Sequence, residues 1–273
     1  MKQARILIVA GSDSGGGAGV QADIKTVTAL GGFATTAIAA ITVQNTLGVT
    51  GVHPIPPEIV AAQIEAVMSD IGADAWKLGM LGSTDIVETV AESYSRLGAG
   101  IPLVLDPVMI AKGGASLLAE DAIDAVKSRL LPLAAIATPN APEAERLTGL
   151  PVRDLDGQKR AAEALLEAGA RAVLVKGGHI GDGAIVRDVL ATQGNLEVFE
   201  AERIDTRATH GTGCTLASAI AAGLGEGLPL REAIVRARTY LRRAMLNAPG
   251  FGRGAQPLGH AWPFNASTVR DAP

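Results

Sequence analysis

Cysteine is almost missing from this chain: Cys214 is the only one in 273 residues. A single thiol excludes an internal disulfide and a cysteine-built metal cage, and it fits a reducing compartment. Aromatic residues reach only 3% while hydrophobic residues reach 48%. Ala, Val, Ile and Leu must therefore fill the core, as they do where helices cover a parallel sheet. Positive charge is also short, with 24 Lys and Arg against 28 Asp and Glu for a formal net charge of −4. That balance argues against a nucleic-acid partner, whose phosphates need clustered cations and whose bases favour aromatic platforms. No apolar run approaches the ~20 residues of a membrane span, and Ile6 to Ala10 is too short for a signal segment. The expected setting is cytoplasmic, with no membrane partner. His53, His179, His210 and His260 lack a metal-site spacing, and none is assigned a catalytic part.

What is abundant is alternation. Ile6 to Ala10 reads as a strand, SDSGGGAG as a loop, and VQADIKTVTALGG as a helix with Val20, Ile24, Val27 and Leu30 on one face. The order recurs in TTAIAAITV and PEIVAAQIEAVMSDIG, AWKLGML and STDIVETVAESYSRLG, IPLVLDPVM and AEDAIDAVKSRLL, and AAIATPN and APEAERL. QKRAAEALLEAGA then reads as helix and RAVLVKGG as strand. This predicts right-handed crossovers and a mostly parallel sheet covered on both faces. Near residue 184 the order changes, and AIVRDVLAT and LEVFEAERI flank Gln193-Gly194-Asn195, predicting an antiparallel edge hairpin. Helices over 212–224 and 230–246 follow, and the Gly- and Pro-rich tail from Gly250 is expected to be irregular. Nothing in composition marks a second domain, so residues 1–273 read as one.

Several strand ends carry candidate chemistry. THGTGCTLASAIAAG opens a helix through Gly211 and Gly213, and backbone N–H groups at such a mouth can hold an anion. The same turn would equally serve to pack a buried helix. Lys176 ends RAVLVKGG, where ligands gather in open α/β sheets, and offers a point charge to nucleotide phosphates or simply a solvated lysine. Asn140 and Glu143 stand three apart at a strand-to-helix junction, as hard ligands for Mg²⁺ or as a helix cap. DPVMIAKGG sets Asp106 before a loop with Lys112, a closing segment or plain surface. AGSDSGGGAGVQADI lacks the P-loop ending and a clean dinucleotide fingerprint, and reads better as a backbone wall for a small substrate.

Taken in order, these segments resemble the hydroxymethylpyrimidine/phosphomethylpyrimidine kinases of thiamine biosynthesis, ribokinase-like proteins that stand beside the pyridoxal kinases. The likeness runs through ILIVAGSDSGGGAGVQADIKT, AITVQNT, WKLGML, VLDPVM, ATPNAPEAE, VLVKGGH and THGTGCTLASAIAAGL, about residues 5–245. The resemblance implies a three-layer α/β/α sandwich with a mostly parallel sheet, and a homodimer. It implies transfer of a phosphoryl group from ATP, with Mg²⁺, to 4-amino-5-hydroxymethyl-2-methylpyrimidine and then to its monophosphate. It further implies an anion hole at Gly211, Thr212, Gly213 and Cys214, ATP beside Lys176 and Gly177, and Mg²⁺ at Asn140 and Glu143. Lys112 would approach the phosphate from a lid that reads Lys112-Gly113-Gly114 here, where relatives show Lys-Ser-Gly.

The pyrimidine would lie against Gln44, Asp23, Gly11, Met80 and Val108. The Gln44 amide carries a donor and an acceptor side by side, matching an amino group and ring nitrogen. Many relatives place aspartate where Cys214 stands. A thiol of free pKa about 8.5 would need the helix end to raise its thiolate fraction, so Cys214 is expected to be base or proton relay. A pyridoxal or pyridoxine kinase is the alternative within the superfamily, and a non-catalytic metabolite-binding relative the alternative outside catalysis.

Overall fold

The structure, a computed structural model, describes residues 3–109, 120–181 and 183–264. Its centre follows from one short segment. Strand β1 (Arg5–Ala10) has Ile6 to Ala10 all buried. Because successive side chains point to opposite faces of a strand, Ile6, Ile8 and Ala10 enter one apolar cluster while Leu7 and Val9 enter another. Only a strand covered by helices on both faces satisfies both sets.

Around β1 lie parallel β2 (Phe33–Ile38) and β5 (Ala75–Leu78), followed outward by β6 (Leu103–Leu105), β7 (Ile136–Ala137) and β8 (Ala172–Val175). Antiparallel β9 (Ile185–Thr192) and β10 (Asn195–Glu202) complete an eight-stranded sheet ordered β10-β9-β8-β7-β6-β5-β1-β2. The expected edge hairpin is therefore present. One face carries α2 (Pro57–Asp70), α3 (Thr84–Leu97), α5 (Ala141–Thr148) and α6 (Leu155–Glu167), through Ile64, Val90, Leu147 and Leu165 among others. The other carries α1 (Gly19–Ala29), α7 (Thr212–Gly225) and α8 (Leu230–Leu246), through Val27, Ile220 and Ile234. Each such aliphatic side chain stabilises the fold by roughly 1.5–3 kcal/mol relative to exposure. Helix α7 is buried without a break from Thr215 to Gly223, so its axis lies inside the molecule and only its ends can meet a ligand.

Two expectations need correction. TTAIAAITV is not one strand: β2 ends at Ile38, and β3 (Ala40–Asn45) leaves the sheet to pair with β4 (Gly48–Pro54) as a separate antiparallel ribbon. Segment β3 buries Ala40 and Thr42 but exposes Ile41 and Val43, the pattern of a one-sided strand. Its partner GVTGVHP holds Val49, Thr50 and Val52, but Gly48, Gly51 and Pro54, residue types depleted in strands, interrupt them and hide it. The strands at VLDPVM and IATPN are also shorter than their apolar runs, because Pro107 and Pro139 follow at once and cannot donate to a ladder. After α4 (Glu120–Ala125) the chain widens into a π turn over Val126–Leu130 and closes in a 3₁₀ turn at Leu131–Leu133. Among the described residues no helix is long and apolar enough to cross a membrane.

Candidate active site

The parallel strands all end on one edge, and the loops that leave them surround a cavity of ≈ 880 Å³. Gly11, Gln44, Met80 and Val108 line it, as do Lys176 and Gly211 to Cys214. Those expectations converge on one place. Lys112 lies outside the described residues.

The centre of the cavity is the mouth of α7. Gly211 caps the helix with φ +79°, and a Cβ there would overlap the Gly17 carbonyl, so glycine is required on both counts. Thr215 N is the first helix N–H returned to a carbonyl, that of Gly211. The N–H groups of Thr212, Gly213 and Cys214 belong to the first turn, which has no partners within the helix, at the positive end of the dipole. Beside them, Lys176 Nζ donates to Asp106 Oδ1 at 2.9 Å. A Cβ on Gly213 would lie 3.2 Å from that ammonium and 3.5 Å from Asp106 Oδ2. Burial works against the Lys176 charge, but Asp106 and Glu143 outweigh it and hold its pKa above the ordinary value. Asp106 Oδ2 is buried and accepts no hydrogen bond among the described residues.

Asn140 and Glu143 form a reciprocal capping box on α5. Glu143 N donates to Asn140 Oδ1 at 2.9 Å, and Asn140 N donates to Glu143 Oε2 at 2.7 Å. Burial pushes the Glu143 carboxyl up to about 7, with Lys176 opposing and Asp106 adding. The capping alternative is thus realised, and it presents Glu143 toward the cavity that both residues line. Among the described residues no group of three or more His, Cys, Asp or Glu could hold a metal.

Three site expectations are corrected by packing. Asp23 does not face the cavity: the stripe of α1 that buries Val20 and Val27 buries it completely. There it accepts from Lys77 Nζ at 2.9 Å and from Ser218 Oγ at 2.7 Å. Gly177 does not line the cavity either, since its N–H donates to Asp188 Oδ1 at 2.9 Å and a Cβ would overlap the Arg187 carbonyl. Cys214 is half-buried, and its thiol is pushed up to about 12. Burial is the main cause and Asp23 and Asp106 add to it, while Lys77 and the Gly19 N–H oppose. The expected rise in thiolate fraction is therefore overturned, because nearby carboxylates and lost hydration outweigh the helix end. Alkylation by iodoacetamide at pH 8, followed by mass spectrometry, should run on the order of 10²-fold slower than for a free thiol of pKa about 8.5, since the loss in thiolate fraction is partly offset by greater nucleophilicity of the thiolate.

Sequence reasoning missed other residues at the site. Lys77 is fully buried yet lines the cavity. A lysine in the apolar strand AWKLGML was the available clue, since such a charge demands a partner. His210, given no catalytic part from sequence, has its Nε2 2.8 Å from Asp13 Oδ2. Asp13 also accepts N–H groups from Gly15, Gly17 and Ala18. Burial tends to raise its carboxyl, but His210 and these donors hold it below its ordinary value. Gln44 Nε2 lies 3.4 Å from His210 Nε2, and its Oε1 lies 3.2 Å from Thr42 Oγ1. Arg238, ion-paired with Asp188 and 5.4 Å from the Phe199 ring centroid, lines the end of the cavity nearest the sheet edge.

A helix mouth opening at the carboxyl edge of a parallel sheet, with a lysine, a buried carboxylate and a two-stranded ribbon around it, defines a ribokinase-like small-molecule phosphotransferase. Within that class the chain belongs to the phosphomethylpyrimidine kinase family, whose profile matches residues 13–259. It is 49% identical over 266 residues to the thiamine biosynthesis bifunctional protein of Geobacter sulfurreducens, covering 97% of this chain and 54% of that protein. The chain thus spans about half the length of that relative. It is 45% identical to the hydroxymethylpyrimidine/phosphomethylpyrimidine kinase of Haemophilus influenzae, covering 96% of this chain and 97% of the relative. Among solved structures, the ADP complex of Bacillus subtilis pyridoxal kinase is similar with TM-score 0.89 and 34% identity, covering 97% of this chain and all of that one.

Proposed function

We propose that this chain transfers the γ-phosphoryl group of ATP to the hydroxymethyl oxygen of 4-amino-5-hydroxymethyl-2-methylpyrimidine, and then phosphorylates the monophosphate to the pyrophosphate. The observation that carries the reading is that one cavity holds both the α7 mouth, with Lys176 beside it, and the Gln44 amide. Phosphoryl transfer through a loose transition state needs positioning and charge stabilisation more than covalent help. The first-turn N–H groups and Lys176 supply fixed positive charge where the phosphoryl charge develops, with no reorganisation during the reaction.

The orphan Asp106 Oδ2 and the Glu143 carboxylate are hard oxygens that fit Mg²⁺ held largely through phosphate and water. Mg²⁺ bound there would neutralise charge shared between the phosphates. Asn140 positions Glu143 through the capping box. Cys214 enters the reaction as a neutral thiol and serves as a relay: its sulfur takes the alcohol proton as that oxygen bonds to phosphorus, while its own S–H proton passes to a phosphoryl oxygen and the thiol ends neutral. The Lys77 ammonium stabilises whatever thiolate character the sulfur gains on the way. Exposed Ile41 and Val43 on one face of the ribbon support a homodimer, since a second copy would cover that apolar face.

Turnover measured side by side with the pyrimidine alcohol, its monophosphate and pyridoxal tests the reading. The two pyrimidines are expected to be preferred, and a pyridoxal preference would move the chain to the alternative vitamin kinase. Gln44→Leu should raise KM for the pyrimidine at least about tenfold and leave KM for ATP within about twofold, since only the ring loses its paired hydrogen bonds. Equal rises in both would remove Gln44 from ring recognition.

A further inference from the structure

The structure draws Gln44 with Nε2 3.4 Å from His210 Nε2 and Oε1 3.2 Å from Thr42 Oγ1. The two ends of an amide have the same shape, so their order is decided by counting the hydrogens on their partners, and the count reverses the drawn one. Ionised Asp13 can only accept, so the 2.8 Å contact requires the proton of His210 to sit on Nε2. A ring nitrogen carrying that proton has no lone pair left, so an amide nitrogen 3.4 Å from it would set N–H against N–H, whereas the amide oxygen meets the positive edge of the ring. The opposite end gives the same answer. Thr42 has one hydroxyl hydrogen, and Oγ1 lies 2.8 Å from the Ser12 carbonyl, which can only accept. Toward the amide 3.2 Å away, Thr42 Oγ1 therefore offers a lone pair and must receive an N–H.

We infer that His210, held by Asp13, and Thr42, held by Ser12, clamp Gln44 with its oxygen toward the imidazole and its nitrogen toward the hydroxyl. His210 and Thr42 are thereby the positioning residues of ring recognition. This rests on the proposed function, in which Gln44 meets the pyrimidine. One lone pair and one N–H of the amide stay free for the cavity that Gln44 lines. Their order is fixed: the ligand class is a ring whose exocyclic amine donates to the oxygen while the adjacent ring nitrogen accepts from the amide. An inverted amide would set N–H against N–H at His210 and leave Thr42 without a hydrogen to give.

The clamp also joins two halves of the site. His210 immediately precedes Gly211, so the group that orients the ring reader is continuous with the phosphoryl cradle. A Cβ on Gly17 would collide with the His210 ring, and His210 N donates to Gln256 O at 3.1 Å, which keeps the imidazole from swinging away.

Kinetics and nitrogen-15 NMR test this together. His210→Phe keeps a flat ring but removes the donor, and it should raise KM for the pyrimidine alcohol about tenfold with KM for ATP within about twofold. Thr42→Val should act in the same direction from the other side, and serves if His210→Phe does not fold. In a Gln44→Leu background neither change should raise the pyrimidine KM further. Effects that persist there, or that fall equally on ATP, would overturn the clamp. In wild-type protein labelled with nitrogen-15 histidine, His210 should show a protonated Nε2. The opposite tautomer overturns the inference whatever the kinetics. If wild type phosphorylates no pyrimidine alcohol, the functional reading fails while the tautomer still decides the clamp.

Discussion

Gly213→Asp is expected to lower kcat by about 10⁴-fold or more while leaving the fold intact. The position has no positive φ, so an L side chain is tolerated by the backbone. Its Cβ would lie 3.2 Å from Lys176 Nζ. A carboxylate carried there would pair with the ammonium in place of a phosphate and would repel a transferring phosphoryl group at the same mouth. Loss of one fixed donor at a charge-developing site costs 10²- to 10³-fold by itself, and like-charge repulsion in a dry site adds to that. Gly213→Ala gives the graded comparison: the end of Lys176 can yield a few tenths of an ångström, so a fall of only about tenfold is expected. Single-turnover kinetics with saturating ATP, beside circular dichroism of each variant, read both outcomes. Near wild-type turnover in Gly213→Asp, with native ellipticity, would falsify the assignment of the α7 mouth to phosphoryl stabilisation.

What was legible in the sequence was what is local. Helix α8 appears over the expected residues because Leu230, Ile234, Ala237 and Leu241 recur with the helical period, and β9–β10 because Gln193-Gly194-Asn195 separates two β-prone runs. Gly211, Gly213 and Lys176 stood out because they lie at a loop and a strand end, where a parallel sheet gathers ligands, while Gln44, on the separate ribbon, and the role of Cys214 came from the family resemblance. The remainder depends on partners far away along the chain. Asp23 and Lys77 are 54 positions apart, and Asp13 and His210 are 197 apart. Each looks ordinary until the sheet brings it to its partner. Cys214 makes the same point through its acidity. The helix mouth, which favours thiolate, is written beside it, while Asp23 and Asp106, which oppose thiolate, reach it only through the fold. Asn140 and Glu143 allowed cap and metal alike, because a capping box needs the same two side chains at the same spacing.

Lys77→Met carries the largest expected loss of stability, about 3–5 kcal/mol, because it leaves the Asp23 carboxylate buried with Ser218 as its hydrogen-bond donor. Both side chains of the pair are 0% exposed, so water cannot replace the missing ammonium. At about 2–4 °C per kcal/mol for a chain of this size, the thermal midpoint should drop by roughly 10 °C. Removing the second charge as well, in Lys77→Met with Asp23→Leu, should recover most of the loss, since a buried ion pair replaced whole by apolar side chains is often neutral. Activity should part from stability at that point. An apolar pair would cover the sheet as well as the ions do, but it removes the ammonium that lines the cavity near Cys214 and stabilises thiolate character on the sulfur while it relays the alcohol proton. The refolded double variant is therefore expected to remain well below wild type in kcat while binding ATP normally, as calorimetry can read. Full activity in that variant would reduce Lys77 to a packing element, and would leave the proton of the acceptor alcohol to solvent or to the phosphoryl oxygens themselves.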